Sequence, residues 1–175
     1  MDGRSYGEGL TNMAGDSSFD VVSEFDQQEL VNALDQTRRE IATRYDFKGS
    51  HCTLELGKDE ITLLADDEFR AKAVRDLVES KAVRRGLSLK IFDWGKAEPA
   101  AGGTLRQHIG LKRGLTSEQA KEISKVVRDH FPKVKPVIQG DAVRVSAKSK
   151  DELQAVIGHL RGLDYPVALQ FTNYR

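Results

Sequence analysis

The sequence predicts an α+β protein built from two tandem copies of a β-α-β-β-α-β unit. Two observations lead to this fold class. Strand and helix patterns follow one another in the same order in residues 17–94 and again in residues 104–173. In both copies a tight turn, at Gly57-Lys58-Asp59 and at Gly140-Asp141, joins the second and third strands, which favours antiparallel sheets.

The first copy contains four predicted strands and two helices with acidic N-caps. Alternation of apolar and polar residues predicts strands over 18–25, 52–56, 60–65 and 88–94. Asp26, with Glu29 three residues later, predicts the start of a helix that runs to about Tyr45. The second helix begins at Asp66 or Asp67. Four residues form its predicted buried stripe: Phe69, Ala73, Leu77 and Val78.

The second copy repeats this order after a predicted linker at residues 96–103, so that the two units cover 17–95 and 104–175. Its predicted strands are 104–113, 136–139, 142–147 and 167–173. Thr116 with Gln119, and Ser149 with Glu152, predict the starts of its two helices. Each copy therefore has the ferredoxin-like pattern, a four-stranded antiparallel sheet with two helices on one face.

The composition is that of an ordinary globular protein of 175 residues. Basic and acidic residues number 27 each, but residues 1–103 have a formal charge of −6 and residues 104–175 a formal charge of +6. An anionic ligand is therefore expected on the second copy, unless the opposite charges only attract each other. A single cysteine, Cys52, is typical of a reducing compartment, and we expect a cytoplasmic protein without a membrane partner. Residues 1–16 are predicted to be a disordered extension.

Strand alternation places basic side chains on the sheet faces that the helices leave open. A phosphate group is a suitable ligand for them, since arginine binds its oxygens in bidentate fashion, and Gln139 or His108 is suited to contact a base edge. The alternative is an ordinary solvated sheet face. The predicted nucleotide-binding residues are Arg106, His108, Lys112, Arg113, Gln139, Arg144 and Lys148.

Exposed aromatic rings are the usual stacking platform of RNA-binding proteins of this fold. Phe92 and Trp94 are the only candidates for such a platform, and a contact between domains would also bury them.

We find no pattern of residues that predicts catalysis. The sequence lacks a Gly-x-x-x-x-Gly-Lys-Ser/Thr loop, and its four histidines have no metal-ligand spacing. Cys52 is more typical of a small strand residue than of a nucleophile, and Asp66-Asp67-Glu68 is explained by helix capping. The sequence therefore predicts no enzyme, no metal and no cofactor.

Five segments of the chain together resemble the YajQ family of bacterial nucleotide-binding proteins. They are residues 18–24, 46–50, 106–114, 139–145 and 170–175. The resemblance implies that the two ferredoxin-like domains exchange their first strands, which brings Asp20 and Glu24 beside Arg144. Arg113-Gly114-Leu115 and Ser149-Lys150 depart from the family pattern, which puts the phosphate affinity of those loops in doubt.

Three functions follow as hypotheses. The resemblance implies a non-enzymatic nucleotide-binding protein, and some members of the family resemble receptors for cyclic dinucleotides that act through partner proteins. An RNA-binding module that uses both sheets is the first alternative. A protein–protein adaptor, with Phe92 and Trp94 as its contact surface, is the second.

Overall fold

The computed structural model describes residues 16–175, so the predicted disordered extension lies outside the described residues except for Asp16. In this range the four α-helices and eight of the nine strands follow the predicted order, and the additional short strand lies in the predicted linker. The helices are α1 (Gln27–Thr43), α2 (Glu68–Arg84), α3 (Ser117–His130) and α4 (Lys150–Arg161). The strands are β1 (Ser17–Val22), β2 (Thr53–Leu56), β3 (Glu60–Ala65), β4 (Phe92–Trp94), β5 (Glu98–Pro99), β6 (Leu105–Leu111), β7 (Lys135–Gln139), β8 (Ala142–Ala147) and β9 (Gln170–Thr172). No described helix combines the length and the apolar character needed to span a bilayer.

The strands form two antiparallel sheets, which confirms the predicted fold class. One sheet has the strand order β9-β1-β8-β7, and the other has the order β2-β3-β6-β4, with β5 also paired to β6. The chain divides accordingly into two compact units. We call Phe25–Arg113 the central unit, and we call residues 16–24 together with Gly114–Arg175 the split unit.

The first strand of each sequence copy completes the sheet of the other copy. Strand β1 pairs with β8, where Phe19 lies opposite Val145, and strand β6 pairs with β3, where Ile109 lies opposite Ile61. All four of these side chains are fully buried. The strand exchange is therefore fixed by apolar side chains that each sheet needs for its own core.

Residues 96–103, the predicted linker, are folded on the sheet of the central unit. Strand β5 pairs with the start of β6, and a 3₁₀ turn at Ala101–Gly103 connects the two strands. Gly102 has a φ of 70° in this turn, a conformation that glycine adopts without strain.

The helix starts agree with the predicted caps, but one predicted core residue is wrong. The side chain of Thr116 accepts a hydrogen bond from Gln119 N–H, and the Gln119 side chain accepts one from Thr116 N–H. Asp67 caps α2 by accepting from Arg70 N–H. Phe69, predicted to be buried, is 73% exposed. The reason is the phase of α2, whose buried side is formed by Ala71, Val74, Leu77, Val78 and Ala82.

The predicted exposure of Phe92 is also wrong. Residues Leu89–Ile91 form a 3₁₀ turn instead of continuing the strand, and this turn changes which side chains face the core. Phe92 is only 5% exposed, and Trp94 packs against the same core with the Arg75 guanidinium 4.6 Å from its ring centroid. The two rings therefore form no stacking platform on the open sheet face.

Candidate functional site

Arg106 and His108 lie on the open face of β6 in the central unit, as the alternation predicts. Arg106 is exposed and forms no salt bridge with any residue in the range 16–175. The His108 ring Nδ1 lies 3.0 Å from a carboxylate oxygen of Glu60. Lys112 follows at the end of the strand, where its backbone N–H donates to Ile91 C=O. Arg106, His108 and Lys112 therefore share one surface of the central unit, but His108 already contacts the carboxylate of Glu60.

Acidic side chains lie on the same face of this sheet. The strand register places Thr62 opposite both His108 and Glu55, and it places Gly110 opposite both Glu60 and Asp93. Residues directly opposite each other in an antiparallel pair project to the same side. Glu98 also lies opposite Arg106, so four carboxylates accompany the cations of this face and weaken its attraction for an anion.

Arg113 stabilises the start of α1. Its guanidinium donates a hydrogen bond to the Gln27 side chain at 2.6 Å and lies 4.0 Å from the centroid of the Phe25 ring. Such stacking uses the planar face of the guanidinium while its N–H groups bind in the plane. The geometry gives Arg113 a structural contact within the central unit.

Arg144 is paired within the split unit. Its Nε and Nη2 atoms donate to the two carboxylate oxygens of Asp20 at 2.9 and 3.3 Å, and Asn173 donates to the same carboxylate at 2.9 Å. The Arg144 guanidinium, followed by the Asn173 amide, holds the pKa of Asp20 below its usual value. The Arg144 side chain is only 20% exposed. This arginine therefore joins β8 to the exchanged strand β1.

The split unit contains a cavity of about 800 Å³ that three lysines line. We call it the lysine cavity. Its lining residues are Asp16, Pro132, Lys133, Lys135, Ser146, Ala147, Lys148 and Glu152. A volume of this order is typical of pockets for small ligands.

The lysine cavity forms at one end of the open face of the split unit's sheet. Lys135 lies opposite Ser146, whereas Lys133 lies in the turn before β7 and Lys148 directly follows β8. Within the described chain, none of the three ammonium groups lies within 4.0 Å of a carboxylate oxygen. Unpaired ammonium groups around a recess favour an anionic ligand, since each supplies hydrogen-bond donors and charge.

Only one predicted site residue, Lys148, lines this cavity. Gln139 is exposed at the other end of β7, where it lies opposite Ala142. Lys133 and Lys135 were missed, because the predicted strand began at Pro136 and left both lysines in a loop. Extending that strand by one residue places Lys135 on the same face as Val137 and Arg144, and this was the available signal.

The described residues offer no group of three or more His, Cys, Asp or Glu side chains that is arranged to hold a metal ion. The Cys52 thiol is half-buried, and burial raises its pKa, which opposes formation of a thiolate. The two units define a protein of the tandem ferredoxin-like class, and the lysine cavity is its candidate ligand site.

Comparison with known proteins identifies the family. The family model described as "Nucleotide-binding protein YajQ-like" matches residues 17–175. A protein named nucleotide-binding protein from Chloroflexus aggregans is 59% identical over 165 residues, and one from Synechococcus elongatus is 61% identical over 163 residues. Each alignment covers 93% of this chain and 100% of the relative. The chain therefore belongs to the YajQ family, as its segments predicted.

Proposed function

We propose that this protein binds nucleotides without catalysing a reaction, and that the lysine cavity of the split unit holds the phosphate groups. The observation that carries the proposal is the set of three unpaired ammonium groups around the cavity. The names of the relatives support it, since they describe nucleotide-binding proteins and no enzyme. A cyclic dinucleotide is one class of ligand that fits the proposal, because the three lysines can pair with its two phosphates even though Asp16 and Glu152 reduce the formal charge of the lining to +1.

Titration calorimetry with pyrophosphate, nucleoside monophosphates and cyclic dinucleotides tests this function. We expect Lys133→Ala, Lys135→Ala and Lys148→Ala each to weaken binding about fivefold to tenfold, because each removes a charge-assisted hydrogen bond. Lys121→Ala is the matched control, since Lys121 is exposed on α3 and does not line the cavity. Unchanged affinity in all three cavity variants would contradict the proposed site.

RNA is a second candidate ligand, for the open face of the central unit. The exposed Arg106 side chain and the neighbouring Lys112 favour it, since neither forms a salt bridge within residues 16–175. Each phosphate contact to single-stranded RNA contributes about 0.7 to the slope of log Kd against log salt concentration. The double variant Arg106→Ala/Lys112→Ala should therefore lower that slope by about 1.4 in fluorescence anisotropy with a 12-mer. An identical slope would exclude both residues from RNA binding.

The adaptor hypothesis loses the surface on which it was based. Phe92 is buried and Trp94 packs against the central unit's core, so neither ring offers the exposed aromatic contact that a partner interface would use. We therefore propose no partner protein for this surface.

A further inference from the structure

Two rows of side chains cross the open face of the split unit's sheet at the lysine cavity. In one row, Lys135 lies opposite Ser146, and Ser146 lies opposite Ser18. A second row lies beyond the ends of these strands and consists of Lys133 in the turn before β7, Lys148 directly after β8 and Asp16 directly before β1, all of which line the cavity. The first row therefore combines one lysine with two hydroxyl groups, and the second combines two lysines with one carboxylate.

The first row contains two serines whose side chains are largely buried. Ser18 is 2% exposed and Ser146 is 7% exposed. Neither hydroxyl forms a hydrogen bond with any residue of the described chain. Ser146 lines the lysine cavity, so its hydroxyl is placed to form a hydrogen bond with a ligand there.

Asp16 adds a negatively charged hydrogen-bond acceptor to the second row, a group that a site for phosphate alone does not need. Its side chain lines the lysine cavity, and its buried Oδ1 atom has no hydrogen-bond partner among residues 16–175. No lysine ammonium group lies within 4.0 Å of it. A carboxylate repels phosphate oxygens and accepts hydrogen bonds only, so its natural partner is an O–H or N–H group.

We propose that Asp16 is a specificity-determining residue, which accepts a hydrogen bond from a hydroxyl or amino group beside the phosphate of the ligand. The lysine cavity then selects a nucleotide over bare phosphate or pyrophosphate. This inference rests on the proposed function of the same cavity. Ribose hydroxyls and exocyclic base amines are two sources of the required donor, and a carboxylate binds ribose hydroxyls in other nucleotide-binding folds.

Calorimetry on the full chain with pyrophosphate and adenosine monophosphate tests the role of Asp16. We expect Asp16→Ala to bind pyrophosphate about threefold more tightly, because a repulsive charge is lost, and to bind the nucleotide about fivefold more weakly, because the acceptor is lost. Asp16→Asn keeps a carbonyl acceptor. It should bind the nucleotide within about twofold of the original affinity while keeping the gain for pyrophosphate.

Ribose 5-phosphate and 2-deoxyribose 5-phosphate distinguish the two donors. The 2-hydroxyl is the donor if Asp16→Ala weakens binding of the ribose compound and not of the deoxyribose compound, and another sugar hydroxyl is the donor if it weakens binding of both. A base amine is the donor if only the nucleotide is weakened. Tighter binding of both pyrophosphate and the nucleotide by Asp16→Ala would overturn the role of Asp16 while leaving phosphate binding intact. Failure of the unmodified protein to bind either probe at about 1 mM would overturn the proposed function as well.

Discussion

The exchange of first strands predicts that a substitution near the start of the chain destabilises the unit formed mostly by its end. Phe19 of β1 is fully buried in the core of the split unit. Its ring lies 5.9 Å from that of Phe171 in an edge-to-face arrangement and 6.2 Å from that of Tyr174. Phe19→Leu removes part of the buried volume and both aromatic contacts, and we expect it to cost about 2–3 kcal/mol.

The reciprocal substitution is Ile109→Ala in β6. Ile109 is fully buried in the core of the central unit, opposite Ile61 of β3. Loss of its side chain should cost about 3 kcal/mol. Val83→Ala is the control, because Val83 is 56% exposed on α2 and should change stability little.

Amide hydrogen exchange with mass spectrometry separates the two effects, because opening free energies are reported segment by segment. A cost of 2.5 kcal/mol raises the exchange rate of amides that open with the affected unit about 70-fold. Phe19→Leu should accelerate exchange in α3 and β8, and Ile109→Ala should accelerate it in α2 and β3. Faster exchange of β3 in Phe19→Leu, with β8 unchanged, would refute the assignment of β1 to the split unit.

Three further predictions concern the split unit. Because the Arg144 guanidinium lowers the pKa of Asp20, this pair contributes stability above about pH 4 that is lost as the pH falls further. Asp20→Asn should lower the urea midpoint at pH 7 by the equivalent of about 2 kcal/mol. It should also reduce the decline of the urea midpoint between about pH 6 and pH 2.5. Gly114→Ala should lower the melting temperature, since φ is 83° there and a Cβ atom would lie 2.7 Å from Asp141 Oδ2; a variant as stable as the parent would contradict this strain. Thr116→Ala should cost about 1 kcal/mol in chemical unfolding because α3 loses its capping box, and no change in the midpoint would show that the cap is replaced by solvent.

Local patterns were sufficient to predict the elements of the fold. Alternation and cap residues act over a few positions, so Thr116, Ser149 and Asp67 predicted helix starts that the structure contains. The predicted exposure of Phe92 is wrong because of a local departure from strand geometry. A 3₁₀ turn before β4 interrupts the alternation, and hydrophobicity alone does not distinguish that turn from a strand.

The candidate site depended on contacts between distant parts of the chain. From the sequence, Arg144 is predicted to be a free ligand for phosphate. In the structure the exchanged strand places Asp20 opposite it, and only the family resemblance implied this pairing. The lysine cavity combines residues from β7, β8 and the approach to β1. Alternation assigns each residue to a face, but it does not reveal which strands are neighbours.

The strand exchange makes the central unit an insertion within the split unit. Ser23 C=O accepts a hydrogen bond from Gly114 N–H at 2.6 Å, so the chain leaves the split unit and returns to it at the same point. During synthesis, the central unit is complete once residue 113 has been added. Val21 of the split unit pairs with Val143, which is synthesised later. At about 5–20 residues per second, those 122 intervening steps take roughly 6–24 s. Folding of the central unit then brings Ser23 and Gly114 together, and the remaining loop closes at a lower entropic cost.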